Sequence, residues 1–352
     1  MQVLVLGTFY AEGFALHIAE TLVSMRHGVA RFEPSFRSNA AGTRLGVRLN
    51  QARGVIHSST DAIPAIRARR MRPLWQLVDE RPFDVVIVCH DFLWPGEVAE
   101  LKRRSGARIA LWFPDAAANI GKGFFMNADY DGLFFKDPYI VQSFSGVLSS
   151  PVHYLPECFN PARHQLPEGE VPGAEYQCDI ATAGNPHSWR VAFYKHLAGY
   201  HVKLWGPPPP LWLPLGPVAA MYQGRGVLNA DKARAFLGAK VVLNNLHYGE
   251  IWGLNARTFE AAGVGAFQMV DWRPGLAHLF EDGVELVSFR GLSDCKRKLE
   301  HYLGHEHERL AIARAGKLRA EREHTYAHRL GVLLDTLEGS VSGHPLPSID
   351  YV

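Results

Sequence analysis

The first thirty residues, MQVLVLGTFYAEGFALHIAETLVSMRHGVA (1–30), carry the order strand, glycine loop, helix, strand. VLVL (3–6) is short and unbroken in its apolarity, the pattern of a strand covered on both faces. Phe14, Ile18, Leu22 and Met25 then recur at helical spacing until HG (27–28) stops the helix. This is a βαβ opening, and a chain that begins so is expected to continue as alternating strands and helices.

Later runs repeat the strand signal: FDVVIVC (83–89), ARIALWF (107–113), GLFF (132–135) and VHYL (152–155). Each is continuous rather than alternating, so a parallel sheet with helices on both faces is predicted. A polar, proline-containing segment, NPARHQLPEGEVPGAE (160–175), interrupts the series. Beyond it come CDIATAG (178–184), HVKLWG (201–206), AKVVLNN (239–245), AFQMVD (266–271) and VELVSF (284–289), again alternating with helical patterns. The fold class is therefore α/β, with two Rossmann-like domains. The first is predicted over 1–160, a linker over 161–175 and the second domain over 176–320. A closing helix over 321–339, marked by Leu330, Leu333, Leu334 and Leu337, is expected to pack back on the first domain, with a flexible tail over 340–352 after it. GPPPPLWLPLGP (206–217) cannot be helix or central strand, because proline donates no amide hydrogen bond.

A chain of 352 residues with 47% hydrophobic and 20% charged residues has enough material for two cores. Net charge is +2, and Lys and Arg are scattered apart from RARR (67–70), read as a solvated helix surface. A nucleic-acid partner would need a clustered basic face, so none is expected. Cys89, Cys158, Cys178 and Cys295 form no CxxC pair, which argues against a zinc site or disulfide framework and for a reducing compartment. The N-terminal apolar run is too short for a signal peptide and no stretch is long enough to span a bilayer. A cytoplasmic location is the expectation.

Two facing αβ domains place a ligand cleft at the carboxyl ends of their strands. The run from VVLNN through GLNARTFEAAGVGAFQMVD, LFEDGVELVSF, KLEHYL and REHTYAHR resembles the C-terminal domain of CgeB-like glycosyltransferases over roughly residues 178 to 330. These belong to the retaining, metal-independent enzymes of GT-B architecture. The resemblance implies an acceptor-side first domain and a second domain that binds a nucleotide-diphosphate sugar. That sugar is a co-substrate, and no resident cofactor or metal is expected.

The resemblance assigns the donor site to GLNARTFE. The helix beginning near Asn255, with Gly253 and Leu254 before it, would aim its unpaired amides at the diphosphate. Arg257 would add a fixed positive charge, and Glu260 matches the glutamate that accepts ribose hydroxyls. Ala261, Ala262 and Gly263 would let the helix sit close against the sheet. Related enzymes carry a first glutamate separated from this one by seven residues. Here Trp252 holds that place, and Glu250 is the nearest candidate. In TAGNPHSWR (182–190), Gly184 and Arg190 correspond to a glycine loop and basic residue on the diphosphate. Trp205 and Gly206 would border the nucleobase, Trp205 serving equally well as a core residue.

The first half is less specific. GTFYAEG (7–13) lacks the spacing of a dinucleotide fingerprint. His90, Asp91 and Asp115 come after strands at positions where functional groups are delivered, and each serves equally as a hydrogen-bonding cap. DYD (129–131) has the form of a metal-binding DxD but precedes a strand in the acceptor half, and is read as a turn. Among 17 histidines, the pair in HEHERL (305–310) is read as a solvated helix start. The predicted activity is sugar transfer from a nucleotide-diphosphate donor to an unidentified acceptor. A nucleotide-sugar epimerase of the same fold and a non-catalytic binding or assembly partner are the alternatives. The sequence leaves the nucleobase, the sugar and the oligomeric state open.

Overall fold

A computed structural model describes residues 1–33 and 59–347. The chain divides into two compact units. The first comprises Met1–Phe135, Ile140–Leu155 and Leu330–His344; the second comprises Lys136–Tyr139, Pro156–Arg329 and Pro345–Val352.

In the first unit six strands make one sheet: β1 (Gln2–Leu6), β2 (Gly28–Phe32), β3 (Val85–Cys89), β4 (Arg108–Phe113), β5 (Gly132–Phe135) and β6 (Val152–Tyr154), in the order β2-β1-β3-β4-β5-β6. Every pairing is parallel, with Val3 opposite Val29 and Val85 in the centre. All five residues of β3 are buried, as the unbroken VVIVC run requires. Each such aliphatic side chain contributes about 1.5–3 kcal/mol by leaving water. Helices α1 (Phe14–Ser24), α2 (Pro64–Glu80) and α3 (Pro95–Ser105) connect the strands.

Arg67 corrects the reading of RARR as solvent-facing. It lies 5% exposed on α2, pairs with Asp61, reaches Glu97 Oε2 at 2.6 Å and donates to the Phe92 carbonyl at 2.6 Å. Its guanidinium also lies 4.8 Å from the Trp94 ring, so α2 and the start of α3 are tied by one cation.

The second unit repeats the plan with β7 (Cys178–Ala183), β8 (Val202–Trp205), β9 (Ala239–Asn244), β10 (Gln268–Asp271) and β11 (Val287–Phe289), all parallel in the order β11-β10-β9-β7-β8. Around it lie α5 (Ser188–Tyr194), α6 (Ala230–Leu237), α7 (Ala256–Val264), α8 (Gly291–Gly304) and α9 (Glu306–Glu323). The remaining helices, α4 (Pro138–Phe144) and α10 (Tyr326–Glu338), each run from one compact unit into the other. On α7, Gly263 is required by packing, since a Cβ there would collide with the Phe159 ring.

Three boundaries differ from expectation. The second unit takes over at Pro156 rather than after residue 160. The segment 161–175 is part of that unit and not a free linker: Leu166 packs against the core around Phe236, and Glu170 pairs with Arg234. The closing helix begins at Tyr326, after a break at His324 and Thr325, and its Leu330, Leu333, Leu334 and Leu337 are buried. Within the first unit a Cβ on Gly132 would stand 3.4 Å from Leu337. The tail is held where it is described, for His344 N donates to Tyr154 O at 3.2 Å. Residues 348–352 lie outside the described part.

Replacing Arg67 by alanine strands Glu97 and leaves Asp61 with Arg70 alone, and should cost about 3 kcal/mol of stability in urea denaturation. A loss under about 0.5 kcal/mol, the range of neutral surface changes, would assign the cluster to the surface.

Candidate functional site

Strand order in the second sheet reverses at β7, with β8 on one side and β9 on the other. Open parallel sheets bind ligands beyond the carboxyl ends of the strands at such a reversal. Gly184 comes directly after β7 there, with φ of 137°, and donates its amide to Trp205 O at 2.8 Å. A Cβ at this position would collide with Arg257 Nη2 and lie 2.8 Å from Arg190 Nη1. Two guanidiniums therefore rest against one bare stretch of backbone.

Arg190, on α5, is 7% exposed, and donates to Asn185 O at 3.1 Å and to Asn245 O at 3.4 Å. Its Nε is buried without a hydrogen-bond acceptor. Arg257, partly buried at the start of α7, donates from Nη1 to Asn244 Oδ1 at 2.9 Å. Neither cation is paired with a carboxylate among the described residues. Burial, and then the charge of Arg257, bring the Arg190 pKa down to about 9. Burial likewise holds Arg257 below the ordinary arginine value. Like charges enclosed together without a counter-ion are costly, and an incoming dianion relieves that cost.

Asn255 caps α7, its Oδ1 accepting from Thr258 N at 3.3 Å. Asn244, fully buried at the end of β9, donates to Asn255 Oδ1 at 2.9 Å and to Thr258 Oγ1 at 2.9 Å while accepting from Arg257. One amide side chain thus fixes both the helix start and the arginine. The amides of Ala256 and Arg257 find no acceptor among the described residues, which adds two donors and the helix dipole beside the cations. Arg257 and Glu260 neither pair with each other nor face solvent freely. Glu260 Oε1 instead accepts from Lys232 Nζ on α6 at 2.9 Å, with His164 Nε2 at 3.7 Å.

Beside Gly184 lies a small, mostly apolar pocket lined by Pro186, Val191, Leu204, Leu215, Val218 and Tyr222, with Arg190 on its wall. Gly206 belongs to this cavity and approaches the Gly184 carbonyl so closely that no Cβ would fit. Trp205 contributes to the lining, but its ring is 4% exposed and packs with Tyr176 at 5.5 Å and under Arg225 at 4.8 Å. The ring is thus a core residue rather than an open stacking face. The Leu254 side chain is 1% exposed and packs with Phe159, Leu246 and Phe259, which leaves its backbone as the part a ligand can meet.

Gly253 lies against the Lys136–Asp137 backbone, where a Cβ would stand 2.8 Å from Lys136 O. Asp137 accepts from Ile251 N at 2.8 Å and Trp252 N at 3.1 Å, shaping the loop that carries Glu250. Glu250 is 4% exposed; Oε1 accepts from Lys136 Nζ at 2.9 Å, and Oε2 is buried without a partner. Its charge is near enough to act on Arg257.

In the first unit the strand order reverses between β1 and β3, and His90 comes directly after β3. His90 has φ of 73°, a strained value for a residue with a Cβ, and Nδ1 lies 3.6 Å from Asp115 Oδ2. Both side chains are exposed enough to meet a ligand. Asp91 behaves differently. Its carboxylate accepts from Phe124 N at 2.8 Å and Phe125 N at 2.9 Å, and burial raises its pKa. It caps a loop and is not a candidate for chemistry. Asp129 and Asp131 bind Lys102 at 3.1 and 2.9 Å, and Asp131 also accepts from Ile109 N, so DYD is a turn leading into β5.

Residues 188–335 match the model of a family described as glycosyl transferase-like. No curated protein matches the sequence significantly. Among solved structures, a glycosyltransferase from Rickettsia africae ESF-5 is similar at 10% identity over 96% of this chain and 98% of that one, with a TM-score of 0.65. Anabaena Alr3699/HepE in complex with UDP gives 11% identity, 96% and 100% coverage and a TM-score of 0.63. Sucrose-phosphate synthase (tll1590) from Thermosynechococcus elongatus gives 10%, 97%, 100% and 0.62.

The fold is GT-B. Together with the family match, it supports a glycosyltransferase. Within this GT-B chain, sequence reading passed over Asn244, Asn245, Lys136, Asp137 and Asp271. Asn245 Nδ2 and Leu246 N both donate to Asp271 Oδ2, at 2.8 and 2.9 Å, which sets the turn after β9. The NN pair ending a buried strand was the available signal, since polar side chains there need partners.

The uncompensated charge gives a stability test. Arg190→Met should raise the ligand-free protein's stability by ~1 kcal/mol in urea denaturation. Pyrophosphate should stabilise the parent and have no such effect on the variant. Equal protection of both would place the anion elsewhere.

Proposed function

We propose that the protein transfers a sugar from a nucleotide-diphosphate donor to an acceptor, with retention of anomeric configuration and without a metal, as a CgeB-like enzyme. The observation that carries this reading is the pair of guanidiniums at Gly184, unpaired with any described carboxylate and flanked by the free amides of α7. Structures of HepE with UDP and with UDP-glucose, similar in fold to this chain, support a nucleotide sugar as the donor.

The diphosphate sits against Arg190, Arg257 and the amides of Ala256 and Arg257, and the base enters the apolar cavity at Gly206. As the glycosidic bond breaks, negative charge grows on the leaving diphosphate. Two cations and a helix terminus stabilise it without reorganising. They also supply the positive charge that a divalent ion provides elsewhere, which is the basis for metal independence. Glu250 Oε2, buried and unpartnered, takes a hydroxyl of the transferred sugar, while Oε1 stays bonded to Lys136 Nζ. Glu260, held by Lys232, takes the ribose hydroxyls. The departing phosphate accepts the acceptor's proton, and His90 and Asp115 are the first unit's candidate groups for binding an acceptor.

The test begins with thermal shifts against UDP, GDP, ADP, CMP and dTDP, because a ligand specific to the native state must raise its melting temperature. One nucleotide should do so, and Arg257→Ala should abolish that shift and lower turnover about 100-fold with the fold intact. Unchanged kinetics in the folded variant would remove Arg257 from the site. Turnover should survive a chelator, and restoration by Mn²⁺ or Mg²⁺ after chelation would overturn the metal-free mechanism.

A further inference from the structure

HEHERL reads as a solvated helix start because the sequence shows only its two neighbouring histidines. The fold instead brings His301 and Glu308 up to the first of them, His305. At the corner between α8 and α9, His301, His305 and Glu308 bring one ligand atom each within 4.8 Å of the others. His301 Nε2 lies 2.8 Å from Glu308 Oε2, and the rings of His301 and His305 are stacked, with centroids 4.0 Å apart and planes within 15°. His305 Nδ1 donates to the His301 carbonyl at 2.6 Å, which fixes its tautomer and leaves Nε2 with a lone pair. All three residues are exposed, so an ion can reach them without opening the core.

We propose that this corner binds one divalent transition metal of the Zn²⁺ type, through His301, His305 and Glu308. Two imidazoles and a carboxylate suit Zn²⁺, Co²⁺, Ni²⁺ or Cu²⁺, whereas Mg²⁺ and Ca²⁺ prefer all-oxygen sets. Bonds of about 2.0–2.2 Å to nitrogen and oxygen place two ligands of a tetrahedral ion roughly 3.3 Å apart. The present His301 to Glu308 separation needs only a small widening, and the His301 ring must turn out of its stack on His305, since a metal bonds in the plane of each imidazole. The ion replaces the proton that His301 shares with Glu308, and that proton leaves to solvent. A water fills the fourth position. The consequence is structural. Leu299 on α8 and Ile312 on α9 enter the same core, so an ion at the corner staples two helices that pack on one sheet.

The test uses tag-free full-length protein and Zn²⁺ alone, in calorimetric titration and then thermal shift, with Mg²⁺ as control. One equivalent should bind and raise the melting temperature, and Mg²⁺ should not. Co²⁺ should give the visible absorption of a four-coordinate ion. His301→Ala, His305→Ala and Glu308→Gln should each weaken Zn²⁺ binding roughly 10- to 100-fold. Without metal each should melt as the parent does and bind nucleotide equally well, which separates this site from the donor site. Absence of a stoichiometric Zn²⁺ titration, or undiminished binding in the two histidine variants, would overturn the proposal.

Discussion

Two positive charges held against one glycine, neither of them in an ion pair among the described residues, is the constraint on which the second unit's site depends. Such an arrangement opposes folding, so the surrounding structure must hold it in place. Gly184 gives the guanidiniums room, Asn244 orients Arg257, and the carbonyls of Asn185 and Asn245 take up Arg190. Asp271 sets the turn that presents one of those carbonyls. The polar groups beyond β7 and β9 are therefore arranged around an excess of positive charge, and an anion balances them.

The architecture was legible because it rests on continuous burial. VVIVC, RIALWF and VVLN are apolar along nearly their whole length, and a strand covered on both faces is parallel in nearly every setting. In both sheets the strand order reverses about the first strand. Gly184, Arg190, Asn255 and Arg257 were singled out for a different reason: a family resemblance assigned them, and the structure brings them together beyond β7 and β9 at the start of α7.

Roles that depend on distant partners were not legible. Lys136 and Glu250 are 114 positions apart, and nothing near Glu250 announces a buried lysine. Arg67 looked like one of several surface cations because Glu97 and the Phe92 carbonyl come from another element. Asp91 shows the same limit from the other side. A carboxylate after a strand fits catalysis and capping equally, and only the position of the Phe124 and Phe125 amides selects capping.

The C-terminal segment has a role of another kind. β6 ends the first sheet, and an unshielded edge offers free backbone groups to any passing strand. Here His344 occupies the Tyr154 carbonyl, while the Ser342 carbonyl meets the His153 ring and Gly343 lies against the same side chain. These few residues act as a guard rail for the sheet. Without them the β6 edge would be open, and the protein would become prone to self-association through it.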